Sequence, residues 1–193
     1  MPLLVTGMRK FSRPGFFFFA IFGNMTDLDA LRGFAGFPCL IFPASRSLSN
    51  CKQGLLEKLA VFFHSWESHG APVEGGAAVL EDRFLVAAHK PKEISGCGRD
   101  ELLFFVQGLG REFGVDWLGG ARVFYRDAEG RPADVDRPGF KRLFQEGHIH
   151  FDTVVYDTTI LRVDALLDGR FAIPASRSWH MRLMTAPAPV FSA

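Results

Sequence analysis

The sequence predicts an α+β fold, in which strand hairpins and helices follow one another without the regular alternation of a parallel α/β sheet. Short apolar runs of strand length recur at residues 37–45, 75–90 and 117–127. Two longer stretches between them, 50–70 and 93–114, carry apolar residues at helical spacing. The composition is that of a globular protein, because 48% of the 193 residues are hydrophobic and 22% are charged. With 193 residues, the chain is long enough for one or two domains with a substantial core.

The first half of the predicted fold, residues 25–114, begins with a strand and a helix. The strand is the apolar run "FPCLIFPAS" at 37–45. Asn50 and Gln53 then have the spacing of a capping box, which predicts the start of the first helix. Apolar residues recur at helical spacing from there, and Gly70 is expected to end this helix.

A hairpin and a second helix complete this half and give it the order β-α-β-β-α. Residues 75–90, "GGAAVLEDRFLVAAHK", predict two strands that turn at the acidic pair between them. The following stretch, "EISGCGRDELLFFV" (93–106), begins with a glycine turn. We expect Asp100 to cap the helix that follows this turn and Gly114 to end it.

The second half, residues 115–184, is predicted to run ββαβ and to finish in an extended segment. A strand at 117–127 is followed by the polar turn "AEGRPA". Asp136 is a good N-cap for a short third helix, because its carboxylate can accept bonds from the first free N–H groups. The later strand and the extended segment are predicted at 152–157 and 171–184. The two halves either pack against each other or share one continuous core.

The two ends of the chain have compositions of their own. Residues 1–24 combine three basic residues with the apolar run 15–22, as a signal peptide does, but no small-x-small cleavage site follows. The run is also too short to span a bilayer. We interpret 1–24 as a non-native or disordered extension, with Met25 as the native start, and predict a flexible tail at 185–193.

Charge and cysteine usage exclude several classes of function. The 22 basic residues nearly cancel the 21 acidic ones, so neither nucleic acid nor a membrane is a predicted partner. Cys39, Cys51 and Cys97 form no CxxC pair, which argues against a disulfide scaffold or a structural zinc site and favours the reducing cytoplasm. The phosphate loop GxxxxGK(S/T) is absent, which excludes a P-loop ATPase, and no cofactor is predicted.

Cys97 is the first candidate for chemistry. It lies between Gly96 and Gly98 in the predicted turn before a helix, where free N–H groups and Arg99 would stabilise a thiolate. With Ser95, Arg99 and the turn N–H groups holding an anion, Cys97 would be the nucleophile of a thiol-dependent enzyme or a redox sensor. Its base would be one of six histidines, among which the sequence does not choose. The alternative is that Cys97 packs as a small hydrophobic residue in a tight turn.

His148, His150 and Asp152, in "GHIHFDT", are the second candidate. On a strand the three side chains would point to one face, and two histidines with a carboxylate are a minimal ligand set for a divalent metal. This stretch follows the glycine that is expected to end the third helix. The alternative is therefore an exposed loop with two solvated histidines.

Six short motifs between about residue 38 and residue 184 carry a family resemblance: W-x-x-H-G at 66–70, RF at 83–84, SGC-x-x-D at 95–100, YRD at 125–127, DT-x-V at 152–155 and SWH at 178–180. They resemble a family of small, uncharacterised bacterial proteins. Members of that family often carry the label "ABC transporter ATPase". The absence of a phosphate loop contradicts that label for this chain.

A second resemblance covers residues 122–156. A tyrosine strand, a polar turn, a short helix ending in Glu-Gly and the pattern DT-x-V-Y follow one another there. This order is similar to the GYF-type peptide-binding module, with Arg131-Pro132 in place of the Gly-Pro step of that family. The resemblance implies an aromatic shelf that holds a proline-rich peptide. The matching positions are Tyr125, Phe140, Leu143, Gly147, Asp152, Thr153, Val155 and Tyr156.

We therefore predict a non-enzymatic binding protein whose partner is a protein or a peptide, the latter proline-rich if the second resemblance applies. Its working surface would be aromatic and would consist of Trp117, Phe124, Tyr125 and Tyr156. The alternatives are the thiol-dependent enzyme or redox sensor that uses Cys97 and, third, the divalent-metal site.

Overall fold

Two antiparallel sheets with helices on their outer faces organise residues 27–185, the part of the chain that the computed structural model describes. The predicted α+β class is confirmed. The strands are, in chain order, β1 (Cys39–Pro43), β2 (Glu67–Ser68), β3 (Ala71–Pro72), β4 (Glu74–Leu80), β5 (Phe84–Lys90), β6 (Arg122–Arg126), β7 (Pro132–Asp136), β8 (Val154–Tyr156) and β9 (Ala172–Pro174). The α-helices are α1 (Lys52–Ser65), α2 (Gly96–Phe113), α3 (Arg137–Gln145), α4 (Val163–Leu167) and α5 (Met181–Thr185). Two 3-10 helices span Asp27–Phe34 and Ala175–Arg177.

The topology matches the predicted order of elements closely. The first sheet has the spatial order β1-β5-β4 and the second has the order β7-β6-β8-β9. The β-α-β-β-α order of the first half holds except for the small β2–β3 hairpin, which pairs with neither sheet. In the second half, β6, β7, α3 and β8 follow the predicted ββαβ order.

The first sheet is buried on both faces, because successive residues of a strand point to opposite sides. On β5, Leu85 and Ala87 face the cluster that contains α1 and α2, whereas Phe84 and Val86 face the second sheet. A strand covered on both sides has no polar face, which explains the almost continuous apolar runs of β4 and β5.

Phe84 is central to the apolar layer between the two sheets, which we call the inter-sheet core. Its ring centroid lies 5.3 Å from that of Phe124 and 5.0 Å from those of Tyr156 and Phe171. Residues of α4 and of the first 3-10 helix also belong to this core. A third cluster packs α3 and α5 on the far side of the second sheet. The layers therefore run α1/α2, first sheet, second sheet and α3/α5.

Two adjacent glycines let aromatic rings pack directly against β4. Gly75 faces Phe63 of α1, and Gly76 faces Phe34 of the first 3-10 helix. Phe63 and Phe34 belong to different apolar clusters on opposite faces of the sheet. A Cβ atom at either position would overlap the ring, so glycine is required here for close approach rather than for a turn.

A partly buried ion network joins the first half to the second sheet. Arg83 donates from Nη2 to Asp134 Oδ1 of β7 at 2.5 Å, and from Nε to the carbonyl of Ala44 at 2.5 Å. Asp134 also accepts a bond from Arg122 Nε at 2.7 Å. Only 15% of the Arg83 side chain and 12% of that of Asp134 are exposed. The buried charge of Arg83 therefore depends on Asp134, whereas the charge of Asp134 is compensated by both Arg83 and Arg122.

The first helix begins and ends differently from the prediction. Its N-cap is Cys51, whose side chain makes no capping hydrogen bond. The prediction that Asn50 and Gln53 form a capping box is therefore wrong. α1 stops before Trp66, whose backbone is extended and whose ring is buried. Gly70 does not end the helix but belongs to the turn of the β2–β3 hairpin, where its φ is 75°.

Two further predictions need correction. Ser95, rather than Asp100, caps α2, because its Oγ accepts a backbone N–H of the first turn at 3.0 Å. The extended segment predicted at 171–184 is wrong beyond β9, where the chain turns into a 3-10 helix and α5. These short helices bury Ala175 and Met184 against the second sheet, which an extended chain could not do with both residues.

The ends of α2 and α3 confirm two predicted caps. Gly114 follows α2 in the left-handed conformation, and Asp136 caps α3 by accepting the Gly139 N–H at 2.8 Å. The predictions for residues 1–24 and for the tail lie outside the described residues, except that Thr185 ends α5. Between residues 27 and 185, no helix has the length and the apolarity that are needed to cross a membrane.

Candidate functional site

An open cleft of about 390 Å³ lies where the β2–β3 hairpin faces the chain between β5 and α2. One wall is formed by residues 68–73 and the other by residues 91–95. The lining combines small apolar side chains with a few hydroxyl and ionisable groups, as ligand-binding clefts commonly do. We call it the hairpin cleft; it is lined by Ser68, His69, Ala71, Pro72, Val73, Pro91, Glu93, Ile94 and Ser95.

The hairpin wall turns through His69 and Gly70, whose φ angles are 53° and 75°. Two consecutive positive φ angles are typical of a type I′ turn, whose twist suits a two-residue hairpin loop. Glycine adopts this conformation freely, whereas the Cβ atom of histidine makes it unfavourable. The His69 side chain is exposed and lines the cleft, so the backbone strain lies at the cleft itself.

Hydrogen bonds join the two walls at the start of α2. The Ser68 hydroxyl oxygen accepts the Ser95 N–H at 2.9 Å and lies 3.0 Å from Ser95 Oγ. At the same end of α2, the buried Trp66 donates its indole N–H to the Gly98 carbonyl at 3.1 Å. Because these bonds form within the chain itself, the cleft is preformed.

A buried histidine lies beside Trp66. The ring centroids of His89 and Trp66 are 5.9 Å apart. His89 Nδ1 is 2.9 Å from the Pro91 carbonyl oxygen, which can only accept, so Nδ1 carries the proton. Burial lowers the pKa of His89 below its ordinary 6.5; the bond to Pro91 opposes this effect and the charge of Arg99 adds to it. His89 is therefore a neutral imidazole at neutral pH.

Ser95 is the N-cap of α2 and lines the hairpin cleft, and Cys97 and Arg99 follow it in the first turn of that helix. The side chains of Cys97 and Arg99 are exposed. Cys51 is half-buried, and Cys39 is buried, where loss of hydration and a nearby aspartate raise the pKa of its thiol to about 12. Of the three thiols, Cys97 is the accessible one.

The four residues of the predicted aromatic surface do not form one surface. Phe124 and Tyr156 are each 1% exposed and belong to the inter-sheet core. Tyr125 points to the opposite face of β6, where it packs near Phe140. Trp117 belongs to the cluster of α1 and α2, and its indole N–H donates to a carbonyl of α2 at 2.8 Å. The expectation of an exposed shelf therefore fails for Phe124 and Tyr156 in this conformation.

The predicted metal ligands are not gathered either. His148, His150 and Asp152 lie in an exposed loop between α3 and β8, not on a strand, so no strand pleat aligns them. His148 Nε2 lies 3.8 Å from a carboxylate oxygen of Glu146. In the described part of the chain, no group of three or more His, Cys, Asp or Glu side chains is placed to hold a metal ion.

His180, one of the six histidines considered as a base for Cys97 and the last residue of the SWH motif, is a second buried histidine. Its side chain is 1% exposed, its Nδ1 lies 2.7 Å from Ser178 Oγ, and its ring stacks on Trp179 at a centroid distance of 3.8 Å. Burial lowers the pKa of His180 to about 4; Asp157 opposes this effect and Arg137 adds to it. Residues 171–184 were predicted as one extended segment, and no local pattern in the sequence indicates that the side chain of His180 is buried.

A preformed cleft, two tied serine hydroxyls, an exposed histidine and an exposed thiol occupy one end of α2. Comparisons with protein-family models, with curated proteins and with solved structures found no match for this chain.

Proposed function

We propose that this chain is a binding protein and that the hairpin cleft holds its ligand, a short peptide in an extended conformation. The observation that carries the proposal is the cleft geometry, in which a strand hairpin and a loop face each other across about 390 Å³. Ligand-binding pockets commonly measure about 300–1,000 Å³. The hydrogen bonds between Ser68 and Ser95 preserve the cleft before a ligand arrives, which reduces the entropy cost of binding.

The lining supports a peptide more than a charged small molecule. Pro72, Pro91 and Ile94 offer apolar contact for the alternating side chains of an extended peptide. His69 and Glu93 are exposed at the cleft and carry the polar groups that would fix direction. With one acidic side chain and one histidine, the lining has no excess of charge that would favour a strongly ionic ligand.

The hairpin cleft is a better-supported site than the predicted aromatic surface. Phe124 and Tyr156 could meet a partner only if the two sheets separated, and that would also expose Phe84. Burying one large apolar side chain is worth about 1.5–3 kcal/mol, so such an opening would cost most of the stability of a typical domain. A proline-rich segment is already extended in water and therefore stays within the proposed ligand class.

The test is a nuclear magnetic resonance titration of the uniformly ¹⁵N-labelled chain with pools of short synthetic peptides, one pool being proline-rich. A binding pool should shift the amide signals of residues 68–73 and 91–95. Ala71→Phe fills the exposed cleft wall and should abolish these shifts. Ala60→Phe adds the same bulk to the exposed face of α1 and should leave them unchanged.

Two results would contradict the proposal. No pool shifts the cleft signals at millimolar peptide, or a pool shifts them equally in the wild type and in Ala71→Phe. Shifts confined to Tyr125 and its neighbours would instead favour a ligand on the second sheet.

The exposure of Cys97 favours a thiol-dependent function as the second candidate. Cys97 lies in the first turn of α2, next to Ser95 of the hairpin cleft. Site-resolved alkylation followed by mass spectrometry tests this directly. A rate for Cys97 that levels off below pH 7 would place the thiol function first, whereas a midpoint near the free-thiol value of about 8.5 would remove it.

A further inference from the structure

β9 is an edge strand of the second sheet, because β8 is its only neighbouring strand in the described part of the chain. Ala172 of β9 lies opposite Tyr156 of β8. The next pair along the ladder is hydrogen-bonded, since the Asp157 N–H donates to the Phe171 carbonyl at 2.8 Å. Hydrogen-bonded and non-hydrogen-bonded pairs alternate along an antiparallel ladder. The N–H and C=O groups of Ala172 therefore point away from β8, toward the open edge.

This open edge offers three backbone groups for hydrogen bonding. By the same alternation Pro174 also faces the edge, but proline has no N–H. The groups are therefore the N–H and C=O of Ala172 and the C=O of Pro174, and none of them bonds to another backbone group within residues 27–185. Both residues are half-buried, so part of each is accessible. An edge of this kind can pair with an additional strand.

A cavity of about 270 Å³ lies beside this edge and opens into the rim of the inter-sheet core. Its walls are mainly apolar, and Ala172 is itself part of the lining. The two ionisable groups of the lining are both carboxylates, and no basic side chain lines the cavity. We call it the edge pocket; it is lined by Asp27, Leu28, Leu80, Glu81, Leu166, Gly169, Phe171 and Ala172.

The carboxylates of the edge pocket keep acceptor positions for a further cation. Glu81 Oε1 accepts a bond from Arg126 Nη2 at 3.0 Å, and Glu81 Oε2 lies 3.4 Å from the Tyr156 hydroxyl. Asp27 Oδ1 lies 2.6 Å from Lys52 Nζ. An ionised carboxylate can accept about four hydrogen bonds, so neither group is saturated. Arg126 and Lys52 do not line the pocket, so a ligand inside it meets negative charge.

Strand pairing at Ala172 would direct one side chain of the added strand toward the edge pocket. Residues that lie opposite each other in an antiparallel pair point their side chains to the same face. Ala172 and its partner Tyr156 both face the inter-sheet core, on the side where the pocket lies. A lysine or arginine opposite Ala172 suits this pocket, because its apolar stem packs on the walls while its charged end reaches the carboxylates.

We propose that the β9 edge and the edge pocket form a second binding site, whose ligand is an extended segment of a partner protein with a lysine or arginine opposite Ala172. The backbone of the segment pairs with Ala172 and Pro174, and the basic side chain occupies the edge pocket. The site is separate from the hairpin cleft. Val73 of the cleft precedes β4 and Glu81 of the edge pocket follows it, so the two residues are roughly 26 Å apart along the strand.

Two synthetic peptides test the basic side chain in the full ¹⁵N-labelled chain. One is Thr-Val-Lys-Val-Thr with blocked ends, and the other carries norleucine instead of lysine, which keeps the stem and removes the charge. The lysine peptide should shift the amide signals of Leu80, Glu81 and Ala172 and bind about 2–5-fold more tightly, as for a part-exposed ion pair. Glu81→Gln should lose most of this preference. Glu112→Gln removes an exposed charge from α2, on the other side of the first sheet, and should keep it.

Methylation of the peptide backbone tests the strand pairing without changing the protein. A methyl group on the lysine nitrogen removes the N–H that the Ala172 carbonyl would accept, and should weaken binding about tenfold. A methyl group on the nitrogen of the preceding valine is the matched control. That N–H points away from β9 in the proposed pairing, so its loss should change the affinity little.

Equal affinities of the lysine and norleucine peptides for the unmodified chain would overturn the proposal, and so would equal effects of the two methyl groups. Absence of any shift at Ala172 at millimolar peptide would overturn it as well. Shifts confined to residues 68–73 and 91–95 would do the same while supporting the hairpin cleft. A shift of the Ala172 signal when the labelled chain is diluted without peptide would mean that a second copy occupies the edge, which would also overturn the proposal.

Discussion

His180 should make the protein lose stability as the pH falls from about 6.5 to 4. Its pKa is about 4 in the folded chain, whereas an exposed histidine has the ordinary value of 6.5. The unfolded chain therefore takes up a proton first as the pH falls, and this uptake favours unfolding. One pKa unit corresponds to about 1.4 kcal/mol, so the loss reaches about 3 kcal/mol at pH 4. Above pH 6.5 His180 is neutral in both the folded and the unfolded chain, so this loss of stability is absent.

Urea unfolding across this pH range measures the effect. His180→Asn is the comparison, because an amide can still bond to the Ser178 hydroxyl but does not titrate. The variant should be less stable at neutral pH, where it loses packing on Trp179, and its stability should fall less steeply with acid. Carboxylates and His89 titrate in both proteins, so the difference between the two curves isolates His180. Parallel curves would refute the reasoning.

Three further substitutions test the packing and the polar contacts. Gly76→Ala should lower the free energy of unfolding by about 1–3 kcal/mol, because the new methyl group overlaps the Phe34 ring. Gly119→Ala is the control and should have little effect, because the new methyl group meets no atom within 4 Å. The midpoints of urea unfolding compare the two variants. Asp134→Ala should cost about 3–5 kcal/mol, since it leaves the guanidinium of Arg83 buried without its carboxylate, and calorimetry would contradict this if the melting temperature stayed within error of the wild type. Ser95→Ala should cost about 1 kcal/mol through loss of the α2 cap, with faster amide exchange confined to the first turn of that helix.

The class and the order of the main elements were predictable because their signals are local. The length and composition of two apolar runs joined by an acidic turn identify β4 and β5. The left-handed glycine after α2 and the Asp136 cap mark helix ends that depend on a few neighbouring residues. The cap of α2 was misassigned for the same local reason. Ser95 and Asp100 are both good capping residues, and only the folded backbone decides which of them lies three residues before a free N–H.

The candidate site was less predictable because it depends on which surfaces cover one another. Phe124 and Tyr125 are adjacent on β6 and point to opposite faces of the sheet. Other elements pack on both faces, and an aromatic residue suits a covered face as well as an exposed one. The residue types alone therefore do not predict which ring is accessible. The β2–β3 hairpin has strands of two residues, too short for an alternation pattern, and it forms a wall of the cleft. Ser95 was singled out for holding an anion, whereas its hydroxyl bonds to Ser68 and to its own helix.

The glycine pair of β4 limits how this sequence can change. Gly75 and Gly76 have no side chains, so the rings of Phe63 and Phe34 pack directly against the backbone of β4 from opposite faces of the sheet. Only this one layer of backbone lies between the two rings. A larger residue at one of these glycines becomes tolerable only together with a smaller one at the ring that faces it. Gly76→Ala with Phe34→Leu should therefore recover part of the stability that Gly76→Ala loses, whereas Gly76→Ala with Phe63→Leu should not. Redesign of this strand has to treat the four positions as two coupled pairs, each on its own face of the sheet.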